Sequence, residues 1–370
     1  MSKAAELAKA GDTLTNQPSG RKNIVTNGAM QVAQRSTSET GLGAASGYFT
    51  LDRFTPRTTS SAGRFTMSQA SDGPSGFANC LKMDCTTADT SIAAGEFLFI
   101  STRFEGQDVQ QLKKGTSDAE SITVSFYVKG DQAATYVCEL KDTDNDRVNT
   151  QAFAVTTSWN RIILTFAADT TGALADDNAQ SFQINWWLHG GSTYTGGTFA
   201  SNTWASETNA NRYAGSRTSF YDSTDREFFL TGVQMEIGSQ ATNFEHRSFG
   251  EELALCQRYF FIGCSSTDAH TGGMANGSFR TTSNAQILQQ HPVAMRANPT
   301  ATLRASGSVV IHDTNDGNNI NVTAIDSVVF QSIKSTLIGL TLASASGVVG
   351  EGCWTYSATS TPGITFDAEL

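Results

Sequence analysis

The chain has 370 residues, enough to bury a large core and to form about two or three domains. Its net charge of −10, with no basic cluster beyond Lys113-Lys114 and Arg21-Lys22, argues against nucleic acid as a partner. Only 16% of residues are charged, 33 are Gly and 22 are Phe, and no apolar run approaches the roughly 20 residues of a membrane span; this is a folded, β-rich composition with no segment for membrane insertion.

Residues 1–22 stand apart. Ser2 suits the cap of a short Ala-rich helix through Ala10, with Gly11 placed to end it. A Pro18-Ser19-Gly20 linker follows. So short a helix needs packing to persist, and the residues themselves fit an attachment segment or a frayed terminus. No charged-then-apolar leader opens the chain, so export by a signal peptide is not expected.

From residue 23 to 247 nearly every signal is β. Ile122, Val124, Phe126 and Val128 alternate with polar neighbours, and residues 134–141 alternate again after a turn at Gly130-Asp131. Residues 162–166 and 182–189 repeat the pattern, and a closing strand places Phe229, Val233, Met235 and Ile237 in one phase. Short strands separated by turns, with no long helix, predict an all-β antiparallel sandwich or barrel. Ser248 and Glu251 then form a capping-box pattern that opens a short linking helix over 248–261, with Leu253, Cys256 and Phe260 on one face. A smaller C-terminal β-domain occupies 262–370, where Asp313-Thr-Asn-Asp-Gly-Asn318 marks a hairpin.

The six cysteines include no C-x-x-C pair and no partner set for zinc, and they read as reduced, packed thiols; a Cys80–Cys85 bridge is conceivable but unneeded for a core of this size. Asp142-Thr-Asp-Asn-Asp-Arg147 opens like a calcium loop but has Arg147 and Phe153 where Gly and Glu are required, so a solvated hairpin turn is the better reading. No metal or cofactor is expected. The sequence also lacks a G-x-S-x-G elbow, an H-E-x-x-H motif or an evident carboxylate pair, so an enzyme is not expected, although acids distant in sequence could still converge in a groove.

One stretch suggests a binding face. If Trp186 lies in the core, Trp187 must face the other way with Gln183, Asn185 and His189, because successive strand side chains alternate. A flat aromatic beside amides suits a sugar, whose C–H face stacks on the ring while its hydroxyls bond to the amides. Tyr194, Trp204 and Tyr213 in the following loop complete the expected carbohydrate-binding set. The competing reading packs Trp187 beneath that loop or in a subunit interface.

Three motifs, taken together, carry a family resemblance. Residues 231–239 (TGVQMEIGS), 241–247 (ATNFEHR) and 252–259 (ELALCQRY) form one group; residues 23–35 (NIVTNGAMQVAQR) and 48–54 (YFTLDRF) form another; residues 291–300 (HPVAMRANPT) form the third. In this order they resemble bacteriophage tail-fibre and receptor-binding proteins. The resemblance implies a jelly-roll sandwich similar to carbohydrate-binding modules, over 23–247, and a homotrimer in the virion. It also implies attachment to other tail or baseplate proteins through residues 1–22, and non-covalent recognition of host-surface glycans. A purely structural virion component and a polysaccharide-degrading tailspike are the rival expectations. Asp52, Arg53 and Glu236 within the motifs are expected to be structural, pairing inside the sandwich.

Overall fold

The computed structural model describes residues 3, 21–59, 61–264, 275–357 and 363–370. Apart from Lys3, Arg21 and Lys22, the proposed N-terminal helix and linker lie outside the described residues. In chain order the first twelve strands are β1 (Ser38–Leu42), β2 (Thr55–Thr58), β3 (Arg64–Ala70), β4 (Cys80–Thr87), β5 (Phe97–Glu105), β6 (Ile122–Gly130), β7 (Ala134–Asp142), β8 (Arg147–Val155), β9 (Asn160–Phe166), β10 (Gln180–Gly190), β11 (Ala205–Ser206) and β12 (Glu227–Ile237). They form two six-stranded antiparallel sheets, ordered β1-β3-β4-β12-β6-β9 and β11-β8-β7-β10-β5-β2. The alternating runs seen in the sequence are these strands, and their apolar phases meet between the sheets. Trp186, Phe126, Phe54, Leu230 and Met235 lie in that core. The all-β jelly-roll sandwich expected from the sequence is present.

The helix Phe249–Gln257 follows, with Ser248 accepting the Glu251 N–H at 3.4 Å. The capping box is only half formed, because the Glu251 carboxylate pairs with Arg21. Beyond it come β13 (Phe260–Gly263), β14 (Asn276–Thr281), β15 (Asn284–Gln290), β16 (Thr300–Leu303), β17 (Val309–Asp313), β18 (Asn319–Gln331), β19 (Ser335–Leu342), β20 (Gly352–Ser357) and β21 (Ile364–Asp367). Strands β14, β15, β19, β18, β17 and β20 close into a barrel around Ile287, Ile311, Val322 and Leu340, while β13, β21 and β16 form a small sheet beside it. The β17–β18 hairpin at 313–318 is the one its turn residues predict. All six cysteines are buried and free, including Cys80 and Cys85.

The sequence motifs meet at the junction of the two cores. Asn27 donates its N–H to the Glu252 carboxylate at 2.6 Å, and its side chain ties Val32 to the Asp52 carbonyl. Gly28 passes so close to β12 that a Cβ there would lie 2.1 Å from the Val233 carbonyl oxygen. The Arg53 guanidinium stacks 3.4 Å over the Tyr259 ring, pairs with Glu369 and donates to the Arg103 carbonyl at 2.6 Å. Arg35 lies 3.5 Å over Phe260 and reaches Asp367 at 3.1 Å. Glu105 is held by the paired Nε and Nη2 donors of Arg258, at 2.8 and 2.6 Å, and by the Tyr259 hydroxyl at 2.6 Å. Burial would raise the Glu105 pKa, but these donors hold it below the usual carboxylate range. Asp52 behaves differently: burial outweighs Arg35 and Gln34 and lifts its pKa to about 6.

The expectation that Asp52, Arg53 and Glu236 pair inside the sandwich therefore needs correction. Asp52 takes the Gln34 N–H at 3.1 Å and faces Arg35 at 3.7 Å, within residues 23–247, whereas Arg53 pairs across the junction with Glu369 and Glu236 accepts the Thr242 N–H at 3.0 Å in the loop after β12. The Asp142 turn differs too. Residues 143–146 do form the β7–β8 turn, but Asp142 is buried and accepts the Asp144 and Asn145 N–H groups at 2.9 and 3.0 Å. The Lys114 ammonium sits among the Asp142 carboxylate (2.5 Å), the Asp169 carboxylate (3.0 Å) and the carbonyls of Thr171 and Gly172 (2.7 and 2.9 Å). It supplies there the positive charge that the buried acids require.

Because Arg53 is the nearer of the two guanidiniums that hold the buried Glu369 carboxylate, with Arg35 at 3.4 Å, Arg53→Met should leave that carboxylate under-compensated and lower stability by about 2–4 kcal/mol. Calorimetry should also show the two cores, which this contact couples, melting as more separated transitions than in the wild type.

Candidate functional site

Strand register places the sequence-predicted face. On the outer side of the β5–β10 sheet, Arg57, Phe99, Trp187 and Val137 form one row across β2, β5, β10 and β7. The next row is Thr55, Ser101, Asn185 and Glu139, and the third is Arg103, Gln183 and Lys141. Trp187 thus lies opposite the core-facing Trp186, as alternation requires. The rows border a cleft of about 350 Å³ lined by Arg57, Phe97, Arg103, Lys141, Gln183 and Tyr194, among others.

Trp187 is nevertheless 0% exposed. Arg212 covers one part of its ring at 4.7 Å, and Tyr213 stacks on it at 6.1 Å between centroids. Phe99 at 4.8 Å and Tyr194 at 5.3 Å complete the cover. Of the two readings open at Trp187, packing beneath the loop is the one found; the ring is a floor for the cleft, not an open stacking platform. The half-buried aromatics that remain are Phe97, stacked on Phe99 at 5.4 Å and 18°, and Tyr194, edge-on to Phe97 at 5.4 Å.

The other predicted residues divide. Gln183 lines the cleft and accepts from the Ser101 hydroxyl at 3.2 Å. Asn185 lies in the layer beneath, donating to Glu139 at 2.7 Å, and Tyr213 is buried with its hydroxyl donating to the Thr218 carbonyl at 2.7 Å. His189 leaves the row. The register shifts between Trp187 and His189, so His189 pairs with the core-facing Leu98. An extra residue in one strand reverses the side to which those after it point. Its Nδ1 lies 2.8 Å from the Ser219 hydroxyl and its ring 5.1 Å from that of Tyr221. Trp204 is outside the cleft as well: it packs on Phe182 at 6.2 Å and donates to the Ala167 carbonyl at 2.7 Å.

Sequence reasoning missed Arg57, Phe97, Phe99, Arg103, Lys141 and Arg212. The signal for three of them was available, because Phe97, Phe99 and Arg103 alternate with Leu98, Ile100, Thr102 and Phe104. Lys141 belongs to a run already recognised as a strand. Arg212 comes from the loop and could be placed only by the fold. It grips Glu139 through two bonds, at 2.7 and 2.6 Å, and reaches Glu207 at 2.5 Å. Burial would raise the Glu139 pKa, but the Arg212 charge and these bonds hold it below the usual value. Glu207 also takes the Lys141 ammonium at 2.5 Å.

No protein-family model matches the chain, and no curated protein matches it. Several solved structures are similar. The enzymatically active domain of tailspike protein 4 of bacteriophage CBA120 aligns over 58% of this chain and 21% of its own, at 11% identity and a TM-score of 0.28. A family 11 carbohydrate-binding module from Clostridium thermocellum, in complex with a mixed-linked tetrasaccharide, aligns over 57% of this chain and 99% of its own, at 11% identity and 0.28. A xylan-binding domain from Paenibacillus barcinonensis aligns over 60% and 100%, at 9% identity and 0.27. This chain therefore spans about a fifth of the tailspike's length. With likenesses of this size, the fold rests on the strand pairings described above.

Burial of His189 lowers its pKa from 6.5 to about 4, so the imidazole is neutral at pH 7 and its 3.7 Å approach to Glu96 is not an ion pair there. The unfolded chain takes up this proton near pH 6.5 and the folded chain only near 4, so the stabilisation is complete above 6.5 and is lost as pH falls towards 4. Urea unfolding at pH 7 and pH 4.5 should show the wild type losing about 2–3 kcal/mol more than His189→Gln. Equal losses would mean that His189 is not held neutral.

Proposed function

We propose that this chain is a phage virion protein of the tail-fibre type that binds host cell-envelope glycans through the β5–β10 cleft, without covalent chemistry. The cleft itself carries the reading: an open cavity of about 350 Å³ on a rigid sheet, with aromatic edges and side-chain amides converging on it. The motif resemblance supplies the biological setting, with the protein in the virion, its residues 1–22 on a tail or baseplate partner, and several copies acting together. Weak single contacts multiplied over linked copies are enough for host attachment.

A non-catalytic role is favoured by how the nearby acids are used. Glycoside hydrolysis needs one carboxyl free to give a proton and another free to attack or activate water. Glu139 is saturated by Arg212 and Asn185, and Glu207 by Lys141 and Arg212.

One observation favours a second reading, an assembly role. Val328, Val329 and Phe330 are exposed in succession on β18, Phe330 by 57%. A homotrimer would cover this run. Under that reading Phe330→Asp shifts the particle mass towards the monomer in light scattering.

The test of the glycan reading is binding of the purified protein to an array of bacterial envelope polysaccharides. Phe97→Ala should fold normally and bind several-fold more weakly per site. Trp187→Ala should instead lower stability by about 3–5 kcal/mol, because it empties a buried layer. Wild-type protein that binds no polysaccharide on the array would move the assignment to the assembly role.

A further inference from the structure

The cleft is positively charged on an acidic chain. Among the described residues its lining contains Arg57, Arg103, Lys141 and Arg212 and no carboxylate side chain, although the whole chain carries a net charge of −10. Two of these cations are already compensated: Arg212 by Glu139 and Glu207, and Lys141 by Glu207. Arg57 is not, and Arg103 is compensated in part. Arg57 is half-buried, and its side chain makes no hydrogen bond or ion pair among the described residues. Arg103 donates through one Nη to an oxygen of the Leu370 terminal carboxylate, and its buried Nε has no partner among the described residues. Arg103 lowers the pKa of Arg57, after burial itself, which is what two like charges facing one cavity do to each other.

Such a pair is costly for folding. Half-buried guanidiniums lose hydration and repel one another. The fully buried cations Lys114 and Arg53 are matched by Asp142, Asp169 and Glu369, while other half-buried arginines such as Arg161 and Arg296 are taken by carbonyl oxygens, which Arg57 is not. The register holds both cations on one face, Arg57 opposite Phe99 and Arg103 four residues beyond Phe99 on β5. The guanidinium fork suits planar or tetrahedral oxyanions, which it binds through paired N–H donors.

Resting on the glycan reading above, we propose that the cleft selects an anionic glycan, with a carboxylate- or phosphate-bearing sugar seated between Arg57 and Arg103. Phe97 and Tyr194 then contact the apolar face of that sugar or of its neighbour, and Gln183 takes a hydroxyl. The acid on the sugar supplies the counter-charge that the chain omits. Neutral glycans lack it and leave the Arg57 guanidinium unpaired, so the cleft disfavours them.

The test uses the full chain on an array of purified bacterial polysaccharides, neutral and acidic, read at 50 and 300 mM salt. Acidic members should bind, and binding should weaken at the higher salt. Arg57→Gln should lose about tenfold or more in affinity, while Arg280→Gln, which removes an exposed charge on β14, should bind like the wild type. Arg57 holds no other side chain, so its variant should keep the wild-type melting temperature; Arg103→Gln provides the second cation. Carboxyl reduction of a bound polysaccharide abolishes binding if the anion is a carboxylate, and hydrofluoric-acid removal of phosphate abolishes it if the anion is a phosphate. Binding of neutral polysaccharides that is unaffected by salt and by both substitutions would overturn the anion preference and leave glycan binding standing. Binding of no polysaccharide at all would overturn both.

Discussion

The structure depends most on a buried exchange of charge between its two cores. Arg53 leaves the sandwich in a left-handed backbone conformation, with φ of 69°, to meet Tyr259 and Glu369 from the C-terminal region. Glu105, at the end of β5, returns the connection by taking Arg258 and Tyr259. Removing either side would leave a charge in a dry site, so each domain is held by a cost that the other offsets. This explains why the recognisable motifs are rich in Asn, Gln, Arg and Asp. They are the joint, and they touch the cleft only through Arg103, whose carbonyl accepts from Arg53 while its side chain enters the cavity.

The cleft inherits its rigidity from that joint. Its central strands, β5 and β10, are each paired on both sides, and a layer of Trp187, Tyr213, Asn185, Glu139 and Arg212 fixes the floor. Side chains ordered in this way lose little freedom when a ligand arrives. The Lys114 ammonium does comparable work at the β7–β8 turn, where it neutralises Asp142 and Asp169. Cations on this sheet therefore have two uses: Lys114 and Arg212, matched by acids, stabilise the sandwich, and Arg57, with no acid partner among the described residues, faces the cavity.

Much of the fold was legible because sheet folds write their period into the sequence. The runs at 122–128, 134–141, 162–166 and 182–188 are strands of the sandwich, and the hairpin at 313–318 formed where its turn residues indicated. Ser248 was legible as a helix cap for the same local reason, although its partner acid went to Arg21. The site was read less fully. Alternation put Trp187 and Gln183 on the correct face, and it failed at His189, where a bulge after Trp187 reversed the phase. A bulge leaves no mark in the hydrophobic pattern of residues that are buried on both sides, and His189 and Leu188 are both buried.

By itself, then, the sequence determined the all-β class, the run of strands and the side of the sheet on which Trp187 lies, because each of these follows from neighbours one or two residues apart. Only the tertiary structure decided that Trp187 is covered, that Arg212 pins Glu139, and that Arg57 and Arg103 share a cavity without an acidic side chain among the described residues. Those facts join residues 46 and 73 positions apart, brought together by register and loop closure. No local pattern encodes whether a charge will find its counter-charge across such a distance.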